Sequence, residues 1–121
     1  MITLLPGYEN NSVGARYSGT VTAADYHDVL VPAVSAAAAG GDPVNVVAVL
    51  GQDFDHLSFG ALVRDEQIGA QFRHAWGRIA VVSDHHVLNM IVDSFGRHSK
   101  YDAKAFPLAE EDAARGWATG D

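Results

Sequence analysis

Two short segments hold the side chains best equipped for chemistry, Asp53-Phe54-Asp55-His56 and Ser83-Asp84-His85-His86. Each sets carboxylates beside imidazoles. Together they offer oxygen and nitrogen donors for a divalent ion, or a carboxylate to orient a histidine for proton transfer near neutral pH. Neither has a spacing as diagnostic as His-Glu-x-x-His, and acids in loops ahead of helices serve equally as caps. Capping is therefore the default for Asp53, Asp55, Asp84 and His85, with no catalytic residue, metal or cofactor assigned. Asp84-His85-His86 also spells a phosphoesterase motif, but that chemistry needs further Asp and His motifs in a much larger chain. No Gly-x-Ser-x-Gly, Walker-type or Gly-x-Gly-x-x-Gly sequence occurs, which removes nucleophile-elbow, nucleotide and dinucleotide readings. His27, His74 and His98 are scattered and read as solvated side chains.

The elements that must position these residues are legible from hydrophobic patterning. Val44–Leu50 and Ile79–Val82 are continuous apolar runs, as in strands buried on both faces of a parallel sheet. The two acidic segments follow these runs, so both are delivered to the carboxyl edge of the sheet, where open α/β folds gather ligands. Asp53, Asp84 and His85 are accordingly candidate ligand-binding residues. Between the runs, the spacing predicts a polar turn over Gly51–Asp55 and a helix from Ser58 to His74, completing a βαβ unit.

Ahead of these lie two further strands, Ile2–Leu5 and Val13–Ser18, flanking the turn-rich Pro6-Gly7-Tyr8-Glu9-Asn10-Asn11 as a hairpin, with Gly19 ending the second. Thr22-Ala23-Ala24-Asp25 has a capping-box shape and opens an amphipathic helix to about Ala39, with a kink expected at Pro32. Asp84 or Ser83 should cap a helix whose inner face is Val87, Leu88, Ile91, Val92 and Phe95, with Gly96 as its stop. Asp102–Phe106 reads as a last strand. Leu108–Ala118 reads as a closing helix with Glu110, Glu111 and Asp112 favourably placed at its N-terminal dipole.

The central helix poses a geometric problem. Phe59, Leu62 and Val63 share one face, whereas Ile68, Phe72 and Trp76 lie about 180° around the axis at 100° per residue. A straight helix cannot bury both on one sheet, so either it bends near Gly69 or one face meets a pocket or partner. Core packing with a bend is the plainer outcome. The functional alternative is a hydrophobic pocket under the helix, lined by Phe59, Leu62, Val63, Phe72 and Trp76.

Composition limits the partners. A chain of 121 residues suits one domain, over residues 1–121, and with no cysteine it has neither disulfides nor thiolate chemistry. Eight Lys and Arg against fifteen Asp and Glu give a net charge of -7, which repels phosphate backbones and argues against nucleic acid. Arg97-His98-Ser99-Lys100 with Lys104 is a local basic exception, read first as cations at a helix C-terminus. The start of the chain lacks the marks of a signal peptide and no apolar run reaches about 20 residues, so a cytoplasmic, non-spanning protein is expected.

Four segments then resemble one family over nearly the whole chain: Leu4-Leu5-Pro6-Gly7; Tyr26 with Val29-Leu30-Val31-Pro32-Ala33; Trp76-Gly77-Arg78-Ile79-Ala80-Val81-Val82-Ser83-Asp84-His85; and Phe106-Pro107-Leu108. They look like the SpoIIAA-like, STAS-type family. The resemblance implies an α/β domain with a mixed five-stranded sheet and about four flanking helices, related in shape to the anti-sigma-factor antagonists of bacteria and more loosely to lipid-carrying CRAL-TRIO domains. It implies no established reaction. Those antagonists are switched by phosphorylation in an Asp-Ser-(Ser/Thr)-Gly motif, where this chain reads Asp55-His56-Leu57-Ser58-Phe59-Gly60. Ser58 is thus expected as a helix N-cap. The expected function is a non-catalytic binding or regulatory module for a protein partner or a small apolar or anionic ligand. A lipid or hydrophobic-metabolite carrier is the alternative, and a metal-dependent hydrolase stands last. A free apolar helix face would also suit a homodimer.

Overall fold

The computed structural model describes residues 1–8 and 11–120, so Glu9 and Asn10 of the expected hairpin turn lie outside the described residues. Five strands form one mixed sheet in the order β1-β2-β3-β4-β5: Ile2–Leu4, Ser12–Val21, Val44–Leu57, Trp76–Val82 and Asp102–Phe106. β1 runs antiparallel to β2, and the other neighbours are parallel. The helices are α1 (residues 23–38), α2 (Phe59–Gln71), α3 (His86–His98) and α4 (Glu111–Thr119), the last preceded by a 3-10 turn, Leu108–Glu110. The single α/β domain with a five-stranded mixed sheet and four helices is the architecture expected from the sequence.

Strand alternation divides the core in two. Val47 and Val49 of β3, Ala80 and Val82 of β4 and Phe106 of β5 point to one face, where Ala114 and Ala118 of α4 cover them; all seven are buried. Ala15, Tyr17, Leu50 and Val44 point to the other face with α1 and α2. On this second face Val46, Ala48, Ile79 and Val81 are only half-buried, so its helical cover is incomplete.

Several local expectations need correction. β3 does not turn at Gly51: it continues to Leu57, because β2 also continues to Val21 and pairs with it through Gly19↔Phe54 and Val21↔Leu57. Gly19, expected to end β2, instead sits inside it at φ +57°, a left-handed conformation that only glycine adopts cheaply, and absorbs the register shift there. In α1 the break at Pro32 is a π-helical turn, Tyr26–Leu30, with the Val31 N–H donating to the Tyr26 carbonyl. The wide turn leaves Pro32 in the first turn of the following α segment, Val31–Ala38, where a missing N–H costs little. The Thr22 capping box forms as expected, with the Thr22 N–H donating to Asp25 at 2.8 Å.

α3 departs furthest from expectation. Neither Ser83 nor Asp84 caps it: Ser83 Oγ accepts the His85 N–H at 2.9 Å, and Asp84 Oδ1 accepts the Leu108 N–H at 2.9 Å. Gly96 does not stop the helix but lies within it against β5, so close that a Cβ would collide with the Ala103 carbonyl. One turn earlier, Asp93 Oδ1 accepts the Ala105 N–H at 2.9 Å. α3 therefore guards the outer edge of β5, and its polar side is spent on a strand edge that would otherwise present unpaired donors. The expected inner face is largely outside: Leu88 packs on the core, whereas Val87 and Ile91 stand in solvent.

Candidate functional site

The incomplete cover over β3 and β4 leaves a groove of about 510 Å³ between α2 and α3. Its floor is Val46 and Ala48 of β3 with Ile79 and Val81 of β4. One wall is α2, through Asp65, Glu66, Ile68 and Gly69, and beneath it lie Leu30 and Val34 of α1 and Tyr17 of β2. Phe95, Tyr101 and Trp76 close the far end.

That end is well braced. The Phe95 and Tyr101 rings stack at 6.0 Å, the Tyr101 hydroxyl donates to the Arg73 carbonyl at 3.1 Å, and Trp76 Nε1 donates to the Gly69 carbonyl at 3.1 Å. Outside the groove lining, Phe59, Leu62 and Val63 of α2 and Val87, Met90 and Ile91 of α3 are between 40 and 82% exposed.

α2 avoids the conflict posed by its sequence by ending at Gln71, before Phe72 and Trp76. Ala61 and Ile68 are buried, and Phe59, Leu62 and Val63 remain outside. Ser58 caps the helix, its Oγ accepting the Ala61 N–H at 3.1 Å. Trp76 is no longer helical, since it opens β4; with Phe72 it joins the core, their rings 6.0 Å apart. Of the five apolar residues proposed for a pocket, Trp76 lines the groove, Phe72 packs beside it, and Phe59, Leu62 and Val63 stand on the exposed side of the same helix.

Asp65 is the polar feature the pattern concealed. It lies one turn from both Ala61 and Ile68 on the inward side of α2, and its Oδ1 accepts a 3.1 Å hydrogen bond from the Tyr26 hydroxyl. Its carboxyl keeps contact with solvent at the groove mouth but is crowded by protein behind, and this desolvation raises its pKa, partly offset by the Tyr26 bond. Burial likewise pushes the Tyr17 and Tyr26 phenols up, so both stay protonated. An acid interrupting the stripe Ala61, Ile68, Phe72 was the available sequence signal for this site.

The acidic segments at the carboxyl edge are divided between two small clefts. Asp84 and His85 border one of about 140 Å³ with Gln52 and Leu108; Asp53 borders another of about 380 Å³ with Arg16 and Glu111. Asp55 pairs with its neighbour His56 at 3.4 Å, and the His85 ring meets Phe54 edge-on at 6.2 Å. Among the described residues no three His, Asp or Glu side chains are grouped to hold one metal ion.

The SpoIIAA-like family model matches residues 12–119, which takes in every element from β2 to α4. The chain belongs to the SpoIIAA-like family. Among solved structures, this SpoIIAA-like chain is similar to an uncharacterised protein from the DUF3478 family of Shewanella loihica, described as having a SpoIIAA-like fold. The two share 17% identity with a TM-score of 0.74, over 98% of this chain and 92% of the other, a likeness of fold. No curated protein sequence matches the chain. Among the described residues of the SpoIIAA-like domain no helix is long and apolar enough to cross a membrane.

Proposed function

We propose that this domain is a non-catalytic regulatory binding module that takes a small, mainly apolar ligand into the groove between α2 and α3. One observation carries the reading. The apolar side chains of β3, β4 and β5 under α4 are buried, while the face under α2 and α3 keeps four apolar side chains half-buried beneath about 510 Å³ of space. Left to water, such a surface is unfavourable, and the volume falls within the roughly 300–1,000 Å³ of small-molecule sites. A domain that carries a lipid or hydrophobic metabolite would use the same groove. Acids at the mouth argue against an anionic head group there.

Gly69 provides the test, because it lines the groove, is helical, and has open space where a Cβ would stand. Gly69→Leu has room for its Cβ and is expected to project into the groove. Native mass spectrometry of the protein as purified, together with titration by the neutral dye N-phenyl-1-naphthylamine, is expected to show an apolar occupant or dye binding that Gly69→Leu removes. Dye binding equal in both proteins would reject the groove.

A second reading, a second copy docked on α3, is favoured by the exposure of Val87, Met90 and Ile91 along one side of that helix. Light scattering across concentration tests it. A dimer that Ile91→Glu dissociates is expected on this reading, and a monomer at all concentrations excludes it.

A further inference from the structure

From the charges around the groove, we infer that its ligand ends in a cationic amine, seated on Asp65 and Glu66 with the apolar body along β3 and β4. The inference rests on the groove being a ligand site.

Among the described residues no Lys, Arg or His lines the groove; besides the phenols of Tyr17 and Tyr101, its ionisable groups are the consecutive acids Asp65 and Glu66. Among the described residues no ion pair involves either acid, and the neighbouring Arg64 donates to Gln67 at 3.4 Å instead. Asp65 is also held in place. The Tyr26 hydroxyl occupies Oδ1, and among the described residues no hydrogen bond engages Oδ2. A carboxylate fixed at the mouth of an apolar groove, with no cation paired to it among the described residues, favours a ligand that supplies one, since a charge-assisted hydrogen bond is stronger when partly desolvated. A carboxylate or phosphate head group in the same position would face two like charges on a chain of net charge -7.

The test compares heads on one tail. Octylamine, octanol and octanoate are titrated near pH 7 against dye-loaded protein, with backbone amide shifts of β3 and β4 locating the site, for the natural chain, for Asp65→Asn with Glu66→Gln, and for Gly69→Leu. Asn at 65 keeps an acceptor for Tyr26, so the double variant removes charge and leaves the brace. Octylamine is expected to bind about tenfold more tightly than octanol, the scale of a hydrogen bond to a charged group, with octanoate weakest. The double variant should level amine and alcohol while still binding octanol, and Gly69→Leu should weaken all three. If octanol binds as tightly as octylamine in the natural chain, the amine inference is overturned and the apolar groove stands. If none of the three binds, or if Gly69→Leu changes nothing, the groove reading falls and the inference with it.

Discussion

The Tyr26 hydroxyl donates to Asp65 Oδ1 at 3.1 Å across 39 residues of chain, joining the π-helical turn of α1 to the middle of α2. Tyr26 is 1% exposed and its ring meets Tyr17 edge-on at 6.0 Å, so the donor is held from both sides. Few apolar side chains fasten α2 to the layer beneath it, Ala61 and Ile68 being its buried residues. This one polar tie therefore helps set how α2 lies over the groove, and it aims the carboxylate that borders the mouth.

Replacing Tyr26 with Phe keeps the packed ring and removes the donor. The loss is expected to be about 1 kcal/mol in urea denaturation, the net value of a typical hydrogen bond, with faster amide exchange in α2. Asp65→Asn, which retains an acceptor, should cost less. An unchanged midpoint for Tyr26→Phe would show that the tie contributes nothing to stability.

Asp65 also makes stability depend on pH. Its carboxyl titrates higher in the folded chain than in the unfolded one, because desolvation disfavours the charged form. Over the window between the two values the folded state binds more protons, so this group's contribution declines as pH rises through the window and recovers on acidification. Asp25 runs the other way: the Thr22 backbone N–H, foremost, holds its pKa down, and the stability it gives is lost as pH falls through its folded value. Chemical denaturation from pH 7 down to about pH 2 should show Asp65→Asn losing stability relative to the natural chain in the window above the usual aspartate value, and Asp25→Asn gaining in the window below it. A constant difference between Asp65→Asn and the natural chain would contradict this sign.

Gly96→Ala reverses the usual helix rule. Alanine favours a helix interior over glycine by up to about 1 kcal/mol, yet a Cβ here meets the Ala103 carbonyl of β5 and must push α3 off the strand edge. A net loss of roughly 1–3 kcal/mol is expected, with amide exchange at Ala105 accelerated as the Asp93 bond weakens. A stabilised Gly96→Ala protein would show that α3 does not sit against β5 this closely.

Asp84 and His85 should separate cleanly. Asp84→Ala removes the acceptor of the Leu108 N–H that ties the β4 loop to the start of the C-terminal helix, at an expected cost of about 1 kcal/mol, while His85→Ala changes stability little. Thermal melts in the presence and absence of zinc check this together. A zinc-dependent rise in Tm that both variants abolish would restore the metal reading of this edge.

Much of the fold was legible because its signals are local. The apolar runs around Val47 and Ala80, the Thr22 and Ser58 caps and the family-like segments each act within a few residues, and strand, helix and family follow from them. The site was legible only in part. Phe59, Leu62 and Val63 were marked as a face that the sheet could not also bury, but the acid on the inward face, Asp65, passed unremarked because its partner lies 39 residues away.

What the sequence by itself determined is therefore the α/β alternation and its caps, since hydrophobic periodicity and capping are properties of neighbours along the chain. What only the tertiary structure decided is where the gaps between elements fall. Pairing with β2 carried β3 past Gly51 to Leu57, contact with Ala103 drew α3 to the edge of β5 through Gly96, and α3 so placed left β3 and β4 uncovered beside α2. A groove is space that packing fails to fill, and no residue's own preferences record that failure until every layer has been placed.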